Sequence, residues 1–240
     1  MERADALARL RGLGFGERDA ELLWAHFDDA EQRGKPSHGH ARIDWLATQD
    51  FDPQARPHQI DDTRWDGNGA VGYLALARVV EAQIASPPVE PRLVVCERTF
   101  PTGMLGHYAR TLANAGLLAV LTATSPARLG PPDGPKVAGT NPLAIGIPSS
   151  EGEPVVVDVS MGAVTWGDVV AGLASEDELV PFGGEHAHKA FALAVGLQLL
   201  VDSLVGEAGH GAVLLVTRPE ADPLPELRAR AAGRRLPGDR

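Results

Sequence analysis

The chain has 240 residues, of which 44% are hydrophobic and 22% are charged, and its formal net charge is -10. This balance fits one or two globular domains, and it excludes a fibrous repeat or a wholly disordered chain. The acidic charge argues against a nucleic-acid surface, because phosphate binding needs clustered Lys and Arg. With Cys96 as the single cysteine and no secretion signal, we expect a cytoplasmic protein. No apolar run approaches the ~20 residues of a membrane span.

Residues 1–64 predict an N-terminal helical cap. Apolar residues at helical spacing indicate amphipathic helices over 4–10 and 19–32. The stretch 49–64 is polar, contains Pro and has no strong periodicity, so no element is predicted there.

Residues 65–180 alternate between strand-like and helix-like patterns. A helix is predicted over 72–86, and the apolar runs after it follow a βαβ-like order. Two later runs enclose a loop with Ser and Gly, which predicts a β-hairpin and hence a mixed sheet. The predicted strands are 93–96, 117–122, 143–147 and 155–159, with a helix at 104–114.

Residues 181–240 predict a long apolar helix over 189–205, a strand over 212–217 and a polar, Arg-rich surface tail. Lys189 opens the helix, where a cation is unfavourable against the helix dipole. We therefore expect a local partner or a cofactor phosphate beside it, with solvent as the alternative.

The string GNGAVG, from Gly67 to Gly72, fits the dinucleotide fingerprint GxGxxG and leads into a predicted helix. That fingerprint needs a buried strand ahead of it, and the preceding HQIDDTRW is too polar for a central parallel strand. A glycine-rich turn before a helix is the favoured interpretation, and a Rossmann-type site is the lesser one.

The segment SHGHAR, from Ser37 to Arg42, places a hydroxyl, two imidazoles and a guanidinium after the second helix. Arg42 could hold a carboxylate through two hydrogen bonds, and His38 could exchange a proton near neutral pH. The alternative is a solvated loop in which Ser37 caps a short helix. From the residues alone the two interpretations are about equal.

Asp158 ends an apolar predicted strand, at the place where sites form in α/β sheets. It could orient a histidine, or simply close a turn. Thr140 and Asn141 lie in a turn whose amides could meet a phosphate. No metal site is predicted, because the histidines and the one cysteine show no recognised ligand spacing.

Five motifs, in this order, resemble the malate/L-lactate/ureidoglycolate dehydrogenase family, which is distinct from the classical lactate dehydrogenases. They span nearly the whole chain, and a Leu-Pro-Gly tail at 236–238 adds to the resemblance. The motifs are SHGHAR, WDGNGAVG, GTNPLAIGIP, VVVDVSMGAVTWGDV and PFGG followed by the Lys189 helix.

The resemblance implies a non-Rossmann α/β fold with a mixed central sheet, flanking helices and the N-terminal helical cap. It implies that 65–180 bind the cofactor, that 181–240 return to the cap, and that the protein is a homodimer. The implied cofactor is NAD or NADP. The implied substrates are small 2-oxo acids or, in one branch, cyclic imines such as piperideine-2-carboxylate.

Site residues follow from the same resemblance. By position, Arg42 resembles the family's substrate-carboxylate arginine, and His38 resembles its SHG histidine. Asp158 resembles the acidic partner found in the imine-reducing branch. Ser37 and Trp45 are expected beside the substrate, together with Leu46. The positions expected to contact the cofactor are Ser125, Thr140, Asn141, Asp158, Val159, Ser160 and Lys189.

The chain also departs from the family pattern. Pro101 stands where many members carry an acid/base histidine, and proline cannot transfer a proton. Leu46 stands in place of a substrate-side tyrosine, although Trp45 is adjacent. The usual long excursion before PFGG shrinks to 169–179, so a cover over the cofactor is expected to be missing.

Two functions are compatible with these residues. In the first, NAD(P)H supplies a hydride, His38 oriented by Asp158 supplies a proton, and Arg42 holds the carboxylate. His38→Ala is then expected to abolish turnover and to spare cofactor binding. A protonated imine needs less from the protein, which favours imine reduction. The choice between NAD and NADP stays open.

The second function is that of an eroded or repurposed member of the family. Such a protein would bind a ligand or partner, or carry out non-redox chemistry, and Pro101 and the shortened loop motivate it. In either case the expected partners are a small carboxylate and a second copy of the chain, with no nucleic acid and no membrane.

Overall fold

The computed structural model describes residues 1–131 and 133–239, which form one mixed sheet flanked by helices. The strands are β1 (His58–Gln59), β2 (Arg64–Asp66), β3 (Arg92–Glu97), β4 (Leu118–Ala123), β5 (Leu143–Ile147), β6 (Val155–Val159) and β7 (Gly211–Thr217). The helices are α1 (Arg3–Gly12), α2 (Glu17–Gln32), α3 (Ala41–Leu46), α4 (Gly72–Ala85), α5 (Leu105–Asn114), α6 (Trp166–Val170), α7 (Ala187–Val205) and α8 (Leu224–Ala231).

The strand order is β1-β2-β3-β7-β4-β5-β6, and β2 with β3 is the parallel pair of neighbours. β7 lies antiparallel between β3 and β4, so those two strands run parallel to each other and α5 connects them in a βαβ unit. β5 and β6 form an antiparallel hairpin. The predicted α/β class, mixed sheet and hairpin are confirmed.

One face of the sheet is covered by α4 and α5. Apolar residues at helical spacing, such as Leu76, Val80, Leu105 and Leu112, pack against the inward side chains of the strands. This main core fixes the start of α5 and the loop before it, residues 98–104, relative to the sheet.

The opposite face is covered in part by α7. Val201 and Val205 pack on β3 and β7, and Ala194 packs against Leu129 and Met161. The other side of the helix is an exposed apolar stripe at i, i+3, i+4 and i+7 spacing. We call it the α7 stripe, and it consists of Ala192, Leu193, Gly196, Leu199 and Leu200.

This helix corrects one expectation from the sequence. The segment Gly184–Ala208 contains an 18-residue window with a mean hydropathy of 1.5, and by length and composition it is long and apolar enough to cross a membrane. The statement that no apolar run approaches this length was wrong, because Gln198 and Asp202 interrupt the run without greatly lowering its mean hydropathy.

The N-terminal cap is α1, α2 and α3 packed over the start of α4. Leu10, Leu23, Phe27 and Ile43 form its core together with Tyr73 and neighbouring residues of α4. The cap therefore carries its own apolar cluster, and the loop between α2 and α3 is directed at the edge of the main sheet.

The glycine-rich turn at 67–72 packs against backbone. Gly67 donates its N–H to the Glu97 carbonyl, and a Cβ on Gly67 would collide with the Arg98 carbonyl. A Cβ on Gly72 would lie 2.5 Å from the Pro101 carbonyl oxygen. These glycines are therefore needed for close backbone approach to the loop after β3, and the three-residue β2 before them lies beside the edge strand β1.

The C-terminal segment closes the other edge of the sheet. Val156 of β6 donates its N–H to the Pro237 carbonyl at 3.1 Å, so the tail covers an otherwise open edge strand. Arg33, just after α2, donates to the Gly238 carbonyl at 3.0 Å. The tail contains α8 as well, which its polar composition did not predict.

We predict that Gly72→Ala lowers the free energy of unfolding by about 1–3 kcal/mol, because the new Cβ meets backbone atoms that cannot move independently. Urea unfolding would measure it. Gly12→Ala is the matched control, since no atom lies within 4 Å of a Cβ built there. The packing argument fails if the two variants unfold alike.

Candidate active site

A cavity of about 300 Å³ lies between the cap, the loops after β3 and β4, the carboxyl end of β6 and α6. It brings together most of the residues that the sequence singled out. Those that line it are Ser37, His38, Arg42, Trp45, Ser125, Thr140, Asp158 and Ser160.

Four predicted residues do not line this cavity. Leu46 is buried in the cap core, on the side of α3 away from the opening. The Asn141 side chain donates to the Ala194 carbonyl and to Gln198. Val159 follows Asp158 on the strand and therefore points to the other face. Lys189 is exposed on α7. Within residues 1–131 and 133–239 it has no carboxylate within 4 Å, which agrees with the alternative that solvent surrounds its ammonium group.

The SHGHAR loop is held in place by backbone hydrogen bonds. Residues 36–38 form one turn of 3-10 helix, in which the His38 N–H donates to the Lys35 carbonyl at 2.9 Å. The Arg42 N–H then donates to the Gly39 carbonyl at 2.9 Å and starts α3. Gly39 lies where a Cβ would collide with the Glu31 carboxylate. These contacts direct the His38 and Arg42 side chains into the cavity.

Arg42 is a buried cation at the centre of the site, with 7% of its surface exposed. Its Nε donates to the Ser37 carbonyl at 2.6 Å, and its guanidinium lies 5.0 Å from the Trp45 ring centroid. Among the described residues no carboxylate lies within 4 Å of it. A buried unpaired charge is costly, so this arrangement suits an anionic ligand.

His38 is uncharged at neutral pH. Burial, followed by the nearby charges of Arg42 and Lys35, lowers its pKa from 6.5 to about 4, and Asp168 only partly opposes them. Its Nδ1 is buried and makes no hydrogen bond to the described part of the chain. His38 can therefore donate or accept a hydrogen bond at pH 7, but it holds no extra proton.

Asp158 pairs with a lysine. Its Oδ2 lies 3.5 Å from Lys35 Nζ, and its side chain packs against Gly106 in the first turn of α5. It makes no hydrogen bond to His38 within residues 1–131 and 133–239. The expected orientation of His38 by Asp158 is thus not part of this geometry.

Asp168 is the carboxylate that faces His38, and sequence reasoning missed it. Burial raises its pKa, but hydrogen bonds from Ser37 and Thr165 outweigh that effect and hold the pKa below its ordinary value. Thr165 and Asp168 form a capping box at the start of α6. The Thr-x-x-Asp spacing was the signal that could have located this short helix.

Arg128 was also missed. Its guanidinium lies 3.3 Å from the Trp166 ring centroid, and its backbone N–H donates to the Ala138 carbonyl at 2.8 Å. In the described part of the chain no carboxylate lies within 4 Å of it. The cavity therefore has a second arginine that is positioned by an aromatic ring, and no pattern in the sequence indicated it.

Comparison with known proteins adds to this geometry. Residues 3–178 match the family model described as malate/L-lactate dehydrogenase. The chain belongs to this family. The family predicted from the sequence motifs is therefore confirmed.

Curated relatives include a (2R)-3-sulfolactate dehydrogenase (NADP(+)) from Chromohalobacter salexigens, 30% identical over 69% of this chain and 52% of the relative. A Delta(1)-pyrroline-2-carboxylate/Delta(1)-piperideine-2-carboxylate reductase from Pseudomonas putida is 28% identical over 82% of this chain and 67% of the relative. The chain thus spans about half the length of the sulfolactate dehydrogenase.

Solved structures share the fold. The delta1-piperideine-2-carboxylate reductase from Pseudomonas syringae pvar. tomato gives a TM-score of 0.79 at 23% identity, covering 100% of this chain and 91% of that one. A malate dehydrogenase from Pyrococcus horikoshii gives 0.78 at 21% identity, covering 99% and 82%. The predicted non-Rossmann fold of this dehydrogenase family is confirmed.

Pro101 lines the cavity in this family member, beside Thr102 and Gly103. The proline ring has no transferable proton, so Pro101 itself contributes only shape to this wall of the site. No group of three or more potential metal ligands occurs among residues 1–131 and 133–239.

The depressed pKa of His38 predicts how stability depends on pH. The unfolded chain takes up a proton near pH 6.5 and the folded chain only near pH 4, so stability is lost as pH falls through that window. We expect this to account for up to about 3 kcal/mol of the free energy of unfolding. His38→Gln should make the profile between pH 6.5 and 4 less steep in urea unfolding, while His26 and His210, whose pKa values are also lowered, still contribute to the slope.

The matched control for this measurement is His58→Gln, because His58 is exposed on β1. It should leave the pH profile unchanged. Equal slopes for wild type and His38→Gln between pH 4 and 6.5 would show that His38 is as easily protonated in the fold as in the unfolded chain.

Proposed function

We propose that this protein is a nicotinamide-dependent reductase, and in reverse a dehydrogenase, of a small 2-oxo acid or a cyclic imine carboxylate. The observation that carries the proposal is Arg42, a buried guanidinium without a carboxylate partner in the described chain, facing the same cavity as His38. The names of the curated relatives, a sulfolactate dehydrogenase and a cyclic imine carboxylate reductase, support the same substrate class.

In this proposal the substrate is positioned by the cap. Arg42 binds the carboxylate through two N–H groups, with Ser37 and the Trp45 ring beside it. The neutral His38 ring donates a hydrogen bond to the oxygen or nitrogen at the reacting carbon. This orientation lowers the barrier because the reacting groups are held at a fixed distance.

The opposite wall fits the cofactor, NAD or NADP. Ser125, Thr140 and Ser160 present three hydroxyls around the turn before β5, and Arg128 offers a cation to a phosphate. We propose that these four residues hold the cofactor. When bound, the nicotinamide supplies or accepts the hydride.

Pro101 in the cavity wall favours a second candidate, a family member that binds a nicotinamide or a carboxylate without turnover. An absorbance assay of the reduced nicotinamide with pyruvate, oxaloacetate, glyoxylate and piperideine-2-carboxylate separates the two. Turnover of any of them would exclude the binding-only function. Absence of saturable cofactor binding would exclude the reductase.

We predict that Arg42→Met raises the KM for the carboxylate substrate by about a hundredfold, because a charged hydrogen-bonding partner is lost, and leaves the cofactor Kd within twofold. Steady-state kinetics and fluorescence titration of the cofactor would measure the two effects. Arg230→Met on the exposed side of α8 is the control. An unchanged KM would remove Arg42 from the substrate site.

The protein is also proposed to be a homodimer in the cytoplasm. The α7 stripe supports the dimer, since Leu199 alone leaves 61% of its surface exposed and a second stripe would cover it. The net charge of -10 disfavours the anionic surface of a membrane as the occupant. The single cysteine, Cys96, is a free buried thiol, which is compatible with a reducing compartment.

We predict that the double variant Leu193→Glu, Leu200→Glu is monomeric while the wild type is dimeric, because carboxylates on the stripe cannot be buried against each other. Light scattering after size exclusion would measure the mass. Val89→Glu, an exposed apolar residue away from α7, is the control. The dimer would be excluded if the wild-type protein is a monomer, or if it can be recovered only with detergent.

A further inference from the structure

Lys35 is a cavity residue that neither the sequence nor the proposed substrate contacts account for. Its Nζ lies 3.5 Å from Asp158 Oδ2, and its side chain is 42% exposed. Its backbone is fixed, because its N–H donates to the Ala30 carbonyl at 3.0 Å and its carbonyl accepts from the His38 N–H. The ammonium is therefore held beside His38 at the mouth of the cavity.

Reduction of a 2-oxo acid requires a proton, and the other groups in the cavity are poor donors. Pro101 has none to give, the arginines do not release theirs, and the depressed pKa of His38 leaves that ring uncharged at pH 7. Among the described residues that line the cavity, Lys35 carries the side chain that is both charged and able to give up a proton.

We propose that Lys35 Nζ is the proton donor for 2-oxo acid reduction in this protein, with Asp158 as the residue that positions it. The inference rests on the proposed function. The carbonyl carbon gains a C–H bond from the hydride of the reduced nicotinamide, and the carbonyl oxygen gains an O–H bond as one Nζ–H bond breaks. Lys35 becomes a neutral amine, and its solvent-facing side regains a proton from water.

Substitutions of Lys35 separate proton transfer from charge. Lys35→Met removes both the proton and the ion pair with Asp158. Lys35→Arg keeps the ion pair but cannot release a proton, because a guanidinium remains charged in proteins. Lys136→Met is the matched control, since Lys136 is exposed and outside the cavity.

We expect both Lys35→Met and Lys35→Arg to lower kcat for a 2-oxo acid by about 10² to 10⁴. Lys136→Met should match the wild type, and the cofactor Kd should stay within twofold in all three variants. Reduction of a cyclic imine that is already protonated should be much less affected. Recovery of kcat in Lys35→Arg would overturn the proposal, because it would show that charge alone is required.

Binding provides a readout that does not depend on turnover. Oxamate presents a carboxylate beside a carbonyl oxygen, as a 2-oxo acid does, and its Kd can be measured by calorimetry with reduced nicotinamide present. We expect Lys35→Met to weaken oxamate binding by about tenfold and Lys35→Arg to weaken it less. An unchanged Kd in Lys35→Met would contradict contact between Nζ and the carbonyl oxygen.

The two proposals fail in different ways. If the wild type turns over a 2-oxo acid and Lys35→Met keeps its kcat within threefold, Lys35 is not the donor and the reductase stands. If the wild type reduces only imines, the proposed reductase function is kept, but the role of Lys35 in 2-oxo acid reduction is overturned. If the wild type turns over no substrate, the proposed function and the role of Lys35 are both overturned.

Discussion

The buried guanidinium of Arg42 is the interaction around which the cavity is organised. Within the described residues, its partners are the Ser37 carbonyl and the Trp45 ring. Gly167, which has no side chain, leaves room for the guanidinium. Burial lowers the pKa of His38, and the charge of Arg42 lowers it further. Arg42 thus prepares the site for an anion and contributes to keeping the neighbouring imidazole neutral, and it does so in a protein whose net charge is -10.

Strands with a continuous apolar run and long helices were predictable from the sequence, whereas very short strands and one-turn helices were not. β5 and β6 were predicted to the residue, and the end of α7 was predicted at Val205, because apolar periodicity persists over several residues. β2 has only three residues, and the five residues of α6 make little more than one helical turn, which is too short for a helical apolar period to be recognised. β2 exists because it pairs with β3, a contact made far along the chain.

The site was predictable where its residues are adjacent in sequence. Ser37 and His38 lie in one 3-10 turn and Arg42 lies in the first turn of α3 just after it, so their convergence was visible in the motif. Lys35 and Asp168 acquire their roles through partners on other elements, and only the folded chain sets those distances. Positions carried over from the family were not reliable for every residue. Leu46 was expected beside the substrate, but its side chain packs in the cap core.

The unpaired cations argue against a decayed site. A chain that only had to fold would gain stability by replacing a buried arginine with an apolar residue, or by pairing it with a carboxylate. The buried Arg42 and the half-buried Arg128 have no carboxylate partner within the described residues, yet both face the same cavity. Under the proposal, Lys35, which lines the same cavity as Pro101, supplies the proton that proline cannot. The cost of holding these charges is explained if anionic ligands occupy the cavity.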